Sequence, residues 1–245
     1  MVELLSHSLS RMFHNISDAI EEAKDHLSEL DGAIGDGDHG VTMSIGFQAV
    51  KADLSRRNVD AMAPADLMNA AAMALLNSVG ASTGPLYANG LRRAAQALAG
   101  ATETTPEAQA ALLKGIADGV RERGKGQRGD KTMLDALIPA AEAAASAVRQ
   151  AASVEEMWQE IMTAAEAGAA STRSMVASKG RAARLGERAL GHVDPGAASA
   201  VTILEAMALT FCGGDPGKLK TTSERAGQKI RKSESALEAR KGFKS

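Results

Sequence analysis

Residues 2–29 read VELLSHSLSRMFHNISDAIEEAKDHLSE, and this stretch carries the pattern that decides the fold. Apolar side chains recur there every three or four positions: Leu5, Leu9, Met12, Phe13, Ile16, Ala19, Ile20, Ala23 and Leu27. Positions three and four apart share one face of an α-helix, so the stretch predicts a long helix with one apolar face. Such a face needs partner helices to bury it.

The rest of the chain favours the same kind of structure. Of its 245 residues, 44% are hydrophobic but only 2% are aromatic. Small and straight side chains, which lose little rotamer freedom in a helix, are abundant. Start and stop signals predict eight helical segments. They lie near 2–29, 42–57 and 64–77, after residue 85, over 106–124, from 130, from 153, and from 195 to the glycine pair at 213–214.

Four of these helices have recognisable start signals. Thr105 precedes Pro106, Ser153 forms a capping-box pattern with Glu156, and Asp194 precedes a proline. Asp130 is expected to cap the sixth helix. Because the segments are joined mostly by short loops, sequence neighbours should pack antiparallel. We therefore expect an all-α fold, an antiparallel eight-helix bundle or barrel.

Composition and charge also limit the function classes. No stretch reaches the roughly 18 apolar residues of a membrane span, and the N-terminus lacks a signal-peptide pattern, so we expect a cytoplasmic protein with no membrane partner. The formal net charge is −2 and platforms for base stacking are few, which argues against nucleic acid. The lone Cys212 has an apolar flank typical of the core.

The C-terminal segment differs from the rest of the chain. Residues 215–245 contain nine Lys or Arg against four Asp or Glu, with little apolar periodicity. We expect one helical domain over 1–212 and a basic tail over 213–245, either mobile or weakly helical.

The acidic segment Asp31-Gly32-Ala33-Ile34-Gly35-Asp36-Gly37-Asp38-His39-Gly40 carries the chemistry. Three carboxylates crowd into eight residues, and no Lys or Arg occurs between residues 25 and 50 to balance them. A hard divalent cation would join such carboxylates. The twelfth position from Asp31 is Thr42, not the bidentate acid of a calcium loop. We therefore favour magnesium with a bound nucleotide at Asp31, Asp36 and Asp38.

Two glycine patterns resemble nucleotide motifs but fail in context. Gly35, Gly37 and Gly40 match the dinucleotide-binding spacing, yet a predicted helix precedes them and two aspartates would repel a pyrophosphate. Gly124 and Lys125 nearly fit a P-loop, but Gly126 stands where a hydroxyl residue is required. Neither pattern predicts a nucleotide site.

Two further glycine-rich connections could complete a nucleotide pocket. Residues 78–85 end in small hydroxyls at a helix start, where free N–H groups attract anions, although a plain interhelical loop fits them equally well. Residues 180–196 contain Arg181, Arg184 and Arg188, which could neutralise phosphate charge or simply keep the surface soluble.

Four ordered blocks of sequence resemble the L subunit of dihydroxyacetone kinase. They are Leu30-Asp31-x-x-Ile34-Gly35-Asp36-x-Asp38-His39-Gly40, Ser78-Val79-Gly80-x-x-x-Gly84-Pro85-Leu86, Gly129-Asp130-Lys131-Thr132-Met133, and Lys179-Gly180-Arg181-Ala182-x-x-Leu185-Gly186-Glu187-Arg188-x-x-Gly191-His192-x-Asp194-Pro195-Gly196-Ala197. The resemblance covers nearly all of residues 5–212. The second block departs from the family pattern at Ala81-Ser82-Thr83.

The resemblance implies an antiparallel eight-helix barrel that binds ADP or ATP at one end. By motif match, Asp31, Asp36 and Asp38 would hold two Mg²⁺ ions, and Arg181 would be the catalytic residue. The nucleotide would contact His39, Gly40, Val41, Thr42, Ser82, Thr83, Gly124, Met133, Arg181, Asp194, Pro195 and Gly196. Catalysis of phosphoryl transfer would consist of positioning and charge neutralisation.

The resemblance also implies partners. A separate K subunit would hold the ketose covalently, and a phosphotransferase-system M subunit and a second copy of this chain are further candidates. Either ATP is consumed, or bound ADP is recharged in place. Three functions stay open: a subunit of a kinase acting on dihydroxyacetone, one acting on a four-carbon ketose such as erythrulose, or a nonenzymatic nucleotide sensor that contacts a transcription regulator.

Overall fold

The computed structural model of the chain describes residues 4–213, and these form an all-α structure without β-strands. Eight α-helices occur in this range: α1 Leu5–Ile34, α2 His39–Leu54, α3 Pro64–Ser78, α4 Thr83–Ala97, α5 Pro106–Gly124, α6 Leu134–Arg149, α7 Val154–Ser171 and α8 Pro195–Phe211. Short 3₁₀ segments lie at Val59–Ala61, Thr172–Ser174 and Ala182–Ala189. The predicted all-α fold is confirmed.

The eight helices close into a barrel. Each helix packs against the next one in sequence, and α8 packs back against α1, which completes the ring. One continuous apolar cluster, to which all eight helices contribute, fills the interior. Its largest member is Trp158, which stacks on Phe211 with ring centroids 5.6 Å apart and donates its indole N–H to Gln109 Oε1 over 2.6 Å. Stacking and a satisfied donor let this ring be fully buried.

Three of the four predicted helix starts are present. Thr105 and Asp194 accept N–H bonds from the first turns of α5 and α8, and Ser153 forms a complete capping box with Glu156 at the start of α7. The prediction for Asp130 was wrong, because α6 begins at Leu134. The Asp130 side chain instead accepts hydrogen bonds from Gln127 N and Ser178 Oγ.

The first connection is shorter than predicted. Helix α1 continues to Ile34 and α2 begins at His39, so only four residues join them, whereas the predicted helices ended near residue 29 and began near residue 42. Gly40 permits this arrangement because it lies where α2 crosses α1, and a Cβ there would overlap the Lys24 carbonyl oxygen. The acidic residues are consequently held between two helix ends.

No helix in the described part of the chain is long and apolar enough to cross a membrane. The predicted tail lies outside the described residues apart from Gly213. The division of the chain at residue 212 stays a prediction.

Candidate nucleotide and metal site

A cleft of about 440 Å³ opens at one end of the barrel. Successive helices alternate in direction, so α2, α4, α6 and α8 all begin at this end. The N-cap residue and the first residue of each of these four helices line the cleft. Helix N-termini carry unpaired N–H groups and partial positive charge, and they attract anions. The cleft therefore combines four anion-attracting helix ends.

The lining residues come from the acidic segment, from the connections before α4 and α8, and from the connection between α5 and α6. They are Asp31, Ile34, Asp36, Asp38, His39, Ala81, Ser82, Thr83, Pro85, Leu86, Val120, Arg123, Gly124, Gly126, Lys131, Thr132, Met133, Leu134, Lys179, Gly180, Arg181, Ala182, Asp194, Pro195 and Gly196.

The three aspartates of the acidic segment lie together at this cleft. One carboxylate oxygen from each of Asp31, Asp36 and Asp38 falls within 4.8 Å of the others. Asp31 is buried, and its Oδ2 accepts the backbone N–H groups of Gly37, Asp38 and His39 at 2.9, 3.0 and 3.3 Å. These bonds fix the turn and leave Oδ1 for another partner. An all-oxygen set with one rigid and two exposed carboxylates suits Mg²⁺.

A protein cation also reaches this cluster. Arg181 Nη1 forms an ion pair with Asp36 and lies 3.7 Å from Asp38 Oδ2. A basic side chain therefore balances the acidic segment, although no Lys or Arg lies near it in sequence. The guanidinium arrives from a connection far along the chain.

His39 supports the turn from inside the barrel. Its backbone N–H bonds to Asp31, and its ring Nε2 lies 2.9 Å from Ser199 Oγ on α8. Burial lowers the pKa of His39, which favours the neutral ring. His39 thereby links the starts of α2 and α8, the two helices on either side of α1.

Asp194 is a buried acid beside the start of α8. Its Oδ2 accepts the N–H of Ala197 over 2.8 Å. Burial raises the pKa of Asp194 to about 7, and the nearby Asp135 acts in the same direction, while the Ala197 hydrogen bond and Lys131 oppose it. The carboxyl group is thus poised between its two charge states near neutral pH.

The structure brings most of the predicted site residues together at the cleft, but not all. Gly40, Val41 and Thr42 are not among the lining residues. Gly40 is packed against α1, the Val41 side chain is exposed, and Thr42 faces a small void near Tyr87. The Thr42 N–H bonds to Asp38 O over 2.9 Å, so the first-turn N–H groups of α2 that a phosphate could meet here are those of Gly40 and Val41.

Sequence reasoning missed the importance of Lys131 and Asp135. Lys131 is 1% exposed and donates to the carbonyl oxygens of Met175, Ala189 and His192 at 3.2, 2.6 and 2.8 Å. Asp135 accepts N–H bonds from Gly129 and Thr132 at 2.6 and 2.9 Å. The only available signal was the block at residues 129–133, because apolar periodicity cannot reveal a buried lysine.

Residues 175–193 form the connection that carries Arg181, and we call it the arginine loop. It packs on the end of α1 through a small apolar cluster separate from the barrel core. The cluster contains Ile34 from α1 and Ala177, Ala182, Ala189 and Leu185 from the loop. The loop therefore forms one wall of the cleft without belonging to the barrel core.

Comparison with known proteins agrees with this geometry. The sequence profile of the DAK2 domain matches residues 33–209. The chain is 38% identical over 201 residues to the ADP-binding subunit DhaL of the PEP-dependent dihydroxyacetone kinase 2 of Listeria innocua, covering 81% of this chain and 93% of that subunit. It is 39% identical over 195 residues to the Escherichia coli ADP-binding subunit DhaL, covering 78% and 90%.

A solved structure shares the fold. The dihydroxyacetone kinase from C. freundii, in complex with AMP-PNP and Mg²⁺, superposes with a TM-score of 0.63 at 27% identity. The match covers 81% of this chain but 33% of that chain, so this chain corresponds to about a third of the larger enzyme. The chain therefore belongs to the DAK2 domain family, as a DhaL-type member.

Proposed function

We propose that the chain is the nucleotide- and magnesium-binding subunit of a dihydroxyacetone-type kinase. It would present the terminal phosphoryl group of ATP to a small ketose held covalently on a separate K subunit. The observation that supports this most is the meeting of three carboxylates, an arginine and four helix N-termini at one cleft. Carboxylates can hold cations while the helix ends and the arginine receive phosphate oxygens.

The donor set fits the proposed metal. Asp31, Asp36 and Asp38 would hold two Mg²⁺ ions, and bound magnesium would neutralise negative charge on the phosphate oxygens. Arg181, relieved of Asp36, could then meet the transferred phosphoryl group. Its side chain, 54% exposed, lies at the cleft surface, where it would exchange Asp36 for a phosphoryl oxygen.

The remaining lining residues suit the other parts of a nucleotide. Ser82 and Thr83 stand at the start of α4, where hydroxyl and N–H groups would bind phosphate. Leu86, Val120 and Met133 form an apolar wall near Gly124, suited to the flat base. The cleft volume of about 440 Å³ lies within the usual range for small-molecule pockets.

The transfer itself would need little covalent chemistry from this chain. A bond forms between the ketose hydroxyl oxygen and the terminal phosphorus as the bond to ADP breaks. The barrel holds the phosphoryl donor in line, and Arg181 stabilises the charge that spreads over the equatorial oxygens. The ketose and the group that takes its proton would lie on the K subunit, so this chain alone should not phosphorylate free ketose.

Two sources of the phosphoryl group fit the same residues. ATP could be consumed and exchanged at each turnover, or ADP could stay bound and be recharged by a phosphotransferase-system M subunit. The curated relatives named PEP-dependent favour recharging.

Native mass spectrometry of the purified chain, with and without a chelator, tests the proposal. We expect ADP and magnesium to be retained together by the wild type and lost from Asp36→Asn. Asp25→Asn is the matched control, because Asp25 is an exposed acid on α1 outside the cluster. The same spectra report whether the chain is a homodimer.

The outcomes separate the alternatives. Tight ADP supports recharging in place, whereas weak and exchangeable ATP supports direct consumption. Nucleotide binding that is unchanged by the chelator and by Asp36→Asn would contradict the proposal.

A further inference from the structure

The structure offers an explanation of how Arg181 is held at the cleft. We infer that Asp130 and Lys131 form a clasp that binds both ends of the arginine loop and thereby positions Arg181 at the acid cluster. The clasp itself is independent of the activity, but the use made of Arg181 rests on the proposed function.

Lys131 binds the two ends of the loop to each other. Its Nζ donates to Met175 O at the beginning of the loop and to Ala189 O and His192 O near its end. An ammonium group has three N–H donors, and these three carbonyls use all of them. Burying an ammonium is costly unless it is fully hydrogen-bonded, and an apolar side chain would fill the same space without that cost. The lysine is therefore suited to joining carbonyls rather than to filling the core.

Asp130 binds the loop beside the arginine. Its Oδ1 accepts the hydroxyl of Ser178 over 2.6 Å, and its backbone oxygen accepts the Ser178 N–H over 3.2 Å. Ser178 is three residues before Arg181. Two adjacent residues thus contact the loop on both sides of its basic segment.

The clasp has a rigid base. Asp135, in the first turn of α6, accepts N–H bonds from Gly129 and Thr132 and so holds the turn on both sides of the clasp residues. Lys131 has φ 61°, in the left-handed region that side chains rarely adopt. With this backbone conformation, the side chains of Lys131 and Asp130 reach different parts of the loop. The clasp consequently connects the position of Arg181 to the start of α6.

Apart from the clasp, the loop is held by the exposed ion pair of Arg181 with Asp36, by a hydrogen bond from Gly191 N to Arg173 O, and by a small apolar cluster. Apart from Ile34 and Leu185, its apolar cluster consists of alanines, which bury little surface. Arg181, Arg184 and Lys179 are exposed. Loss of the clasp should therefore free the basic segment while leaving the barrel folded.

Limited trypsin digestion of the nucleotide-free chain tests the clasp, because trypsin cuts after Lys179, Arg181, Arg184 and Arg188. Lys131→Met should raise the cleavage rate at these sites about tenfold or more, since each hydrogen bond to a charged group shifts an equilibrium by that order. Lys125→Met is the control, as Lys125 also has positive φ and precedes α6 but is exposed and does not line the cleft. Its loop cleavage should match that of the wild type.

A second variant keeps the test decisive if Lys131→Met fails to fold. Ser178→Ala removes a single exposed partner of Asp130 and should raise loop cleavage several-fold with unchanged thermal unfolding. Wild-type cleavage in Ser178→Ala, or cleavage spread evenly over the barrel in a folded Lys131→Met, would overturn the clasp.

The dissociation rate of Mg-AMP-PNP tests the positioning of Arg181, because this ATP analogue carries the terminal phosphoryl group that Arg181 would meet. Release should be several-fold faster from Lys131→Met, or from Ser178→Ala if that alone folds, and unchanged in Lys125→Met. A freed loop with unchanged release would overturn the positioning role. If the wild type binds no nucleotide, the proposed function is contradicted. The digestion result still tests whether the clasp holds the loop.

Discussion

The barrel and the arginine loop are stabilised by different kinds of contact. In the barrel, eight helices bury Leu, Ile, Met, Phe and Trp side chains in one continuous cluster. In the loop, a few alanines pack on Ile34, and buried polar groups such as Lys131 make the decisive bonds. A buried leucine or isoleucine contributes roughly 1.5–3 kcal/mol, whereas alanine contributes far less. The loop therefore depends on directional bonds that can be broken locally.

This difference suits a binding site. Segments that admit and release a ligand need to open without unfolding the whole domain, so they belong to the less stable parts of a structure. The barrel keeps Asp31 in place through backbone N–H bonds, and the loop brings Arg181 to the carboxylates from outside. One side of the site is fixed by helix packing, and the other can move.

The largest expected effect compares two buried isoleucines. Ile20 is fully buried in the barrel core. Ile20→Ala should lower the free energy of unfolding by about 2–5 kcal/mol, because the substitution leaves a cavity. Ile34→Ala should lower the global value much less and instead speed trypsin cleavage in the loop. Urea denaturation and digestion of both variants measure this. Equal global losses with unchanged loop cleavage would show that loop and barrel are one unit.

A second prediction concerns Asp194, where the loop meets α8. Its pKa of about 7 exceeds the ordinary 3.8, so the folded chain holds the proton more tightly than the unfolded chain. The stabilisation from this group is fully present below pH 3.8 and is lost as the pH rises through 7. Asp194→Asn, which can still accept the Ala197 N–H, should be more stable than the wild type at pH 8 by up to about 4 kcal/mol, and equal to it near pH 4.

Urea denaturation of the nucleotide-free chain at both pH values checks this, with the exposed first-turn acid Asp66→Asn as control. If the wild type and Asp194→Asn differ by the same amount at pH 4 and pH 8, the buried acid is not the cause of the pH dependence.

A smaller effect is expected at the far end of the barrel. Ser153→Ala removes the capping box of α7 and should cost about 1 kcal/mol, since one first-turn N–H loses its partner. Denaturation measures the loss, and loop cleavage should stay at the wild-type rate. Faster loop cleavage would mean that the start of α7 and the arginine loop are energetically coupled through the barrel.

The smallest effect compares two lysines. Lys51 pairs with Asp18 over 2.5 Å on the exposed surface between α2 and α1. Lys51→Met should lower the unfolding free energy by only about 0.2–1 kcal/mol, because water screens exposed ion pairs. Lys131→Met removes three hydrogen bonds from a buried ammonium group and should raise the rate of trypsin cleavage in the loop far more. If denaturation showed a larger loss of unfolding free energy in Lys51→Met than in Lys131→Met, the contrast between surface and buried lysines would be contradicted.

Much of the fold could be predicted from local pattern. The apolar spacing of α1 and the caps Thr105, Ser153 and Asp194 act within one or two helical turns, so they are readable from neighbouring residues. The start of α6 was misassigned at Asp130, because that carboxylate bonds to Ser178, which is distant in sequence. The acidic segment was also readable, because its three carboxylates occur within eight residues.

The sequence by itself thus determined the helices, their antiparallel order and the presence of an acid cluster, all of which depend on contacts between near neighbours. Only the tertiary structure decided that Arg181 meets Asp36, that His39 bonds to Ser199, and that Lys131 joins the ends of the arginine loop. These contacts link residues from 44 to 160 positions apart. They depend on how the closed barrel places its helix ends, and no local periodicity records that placement.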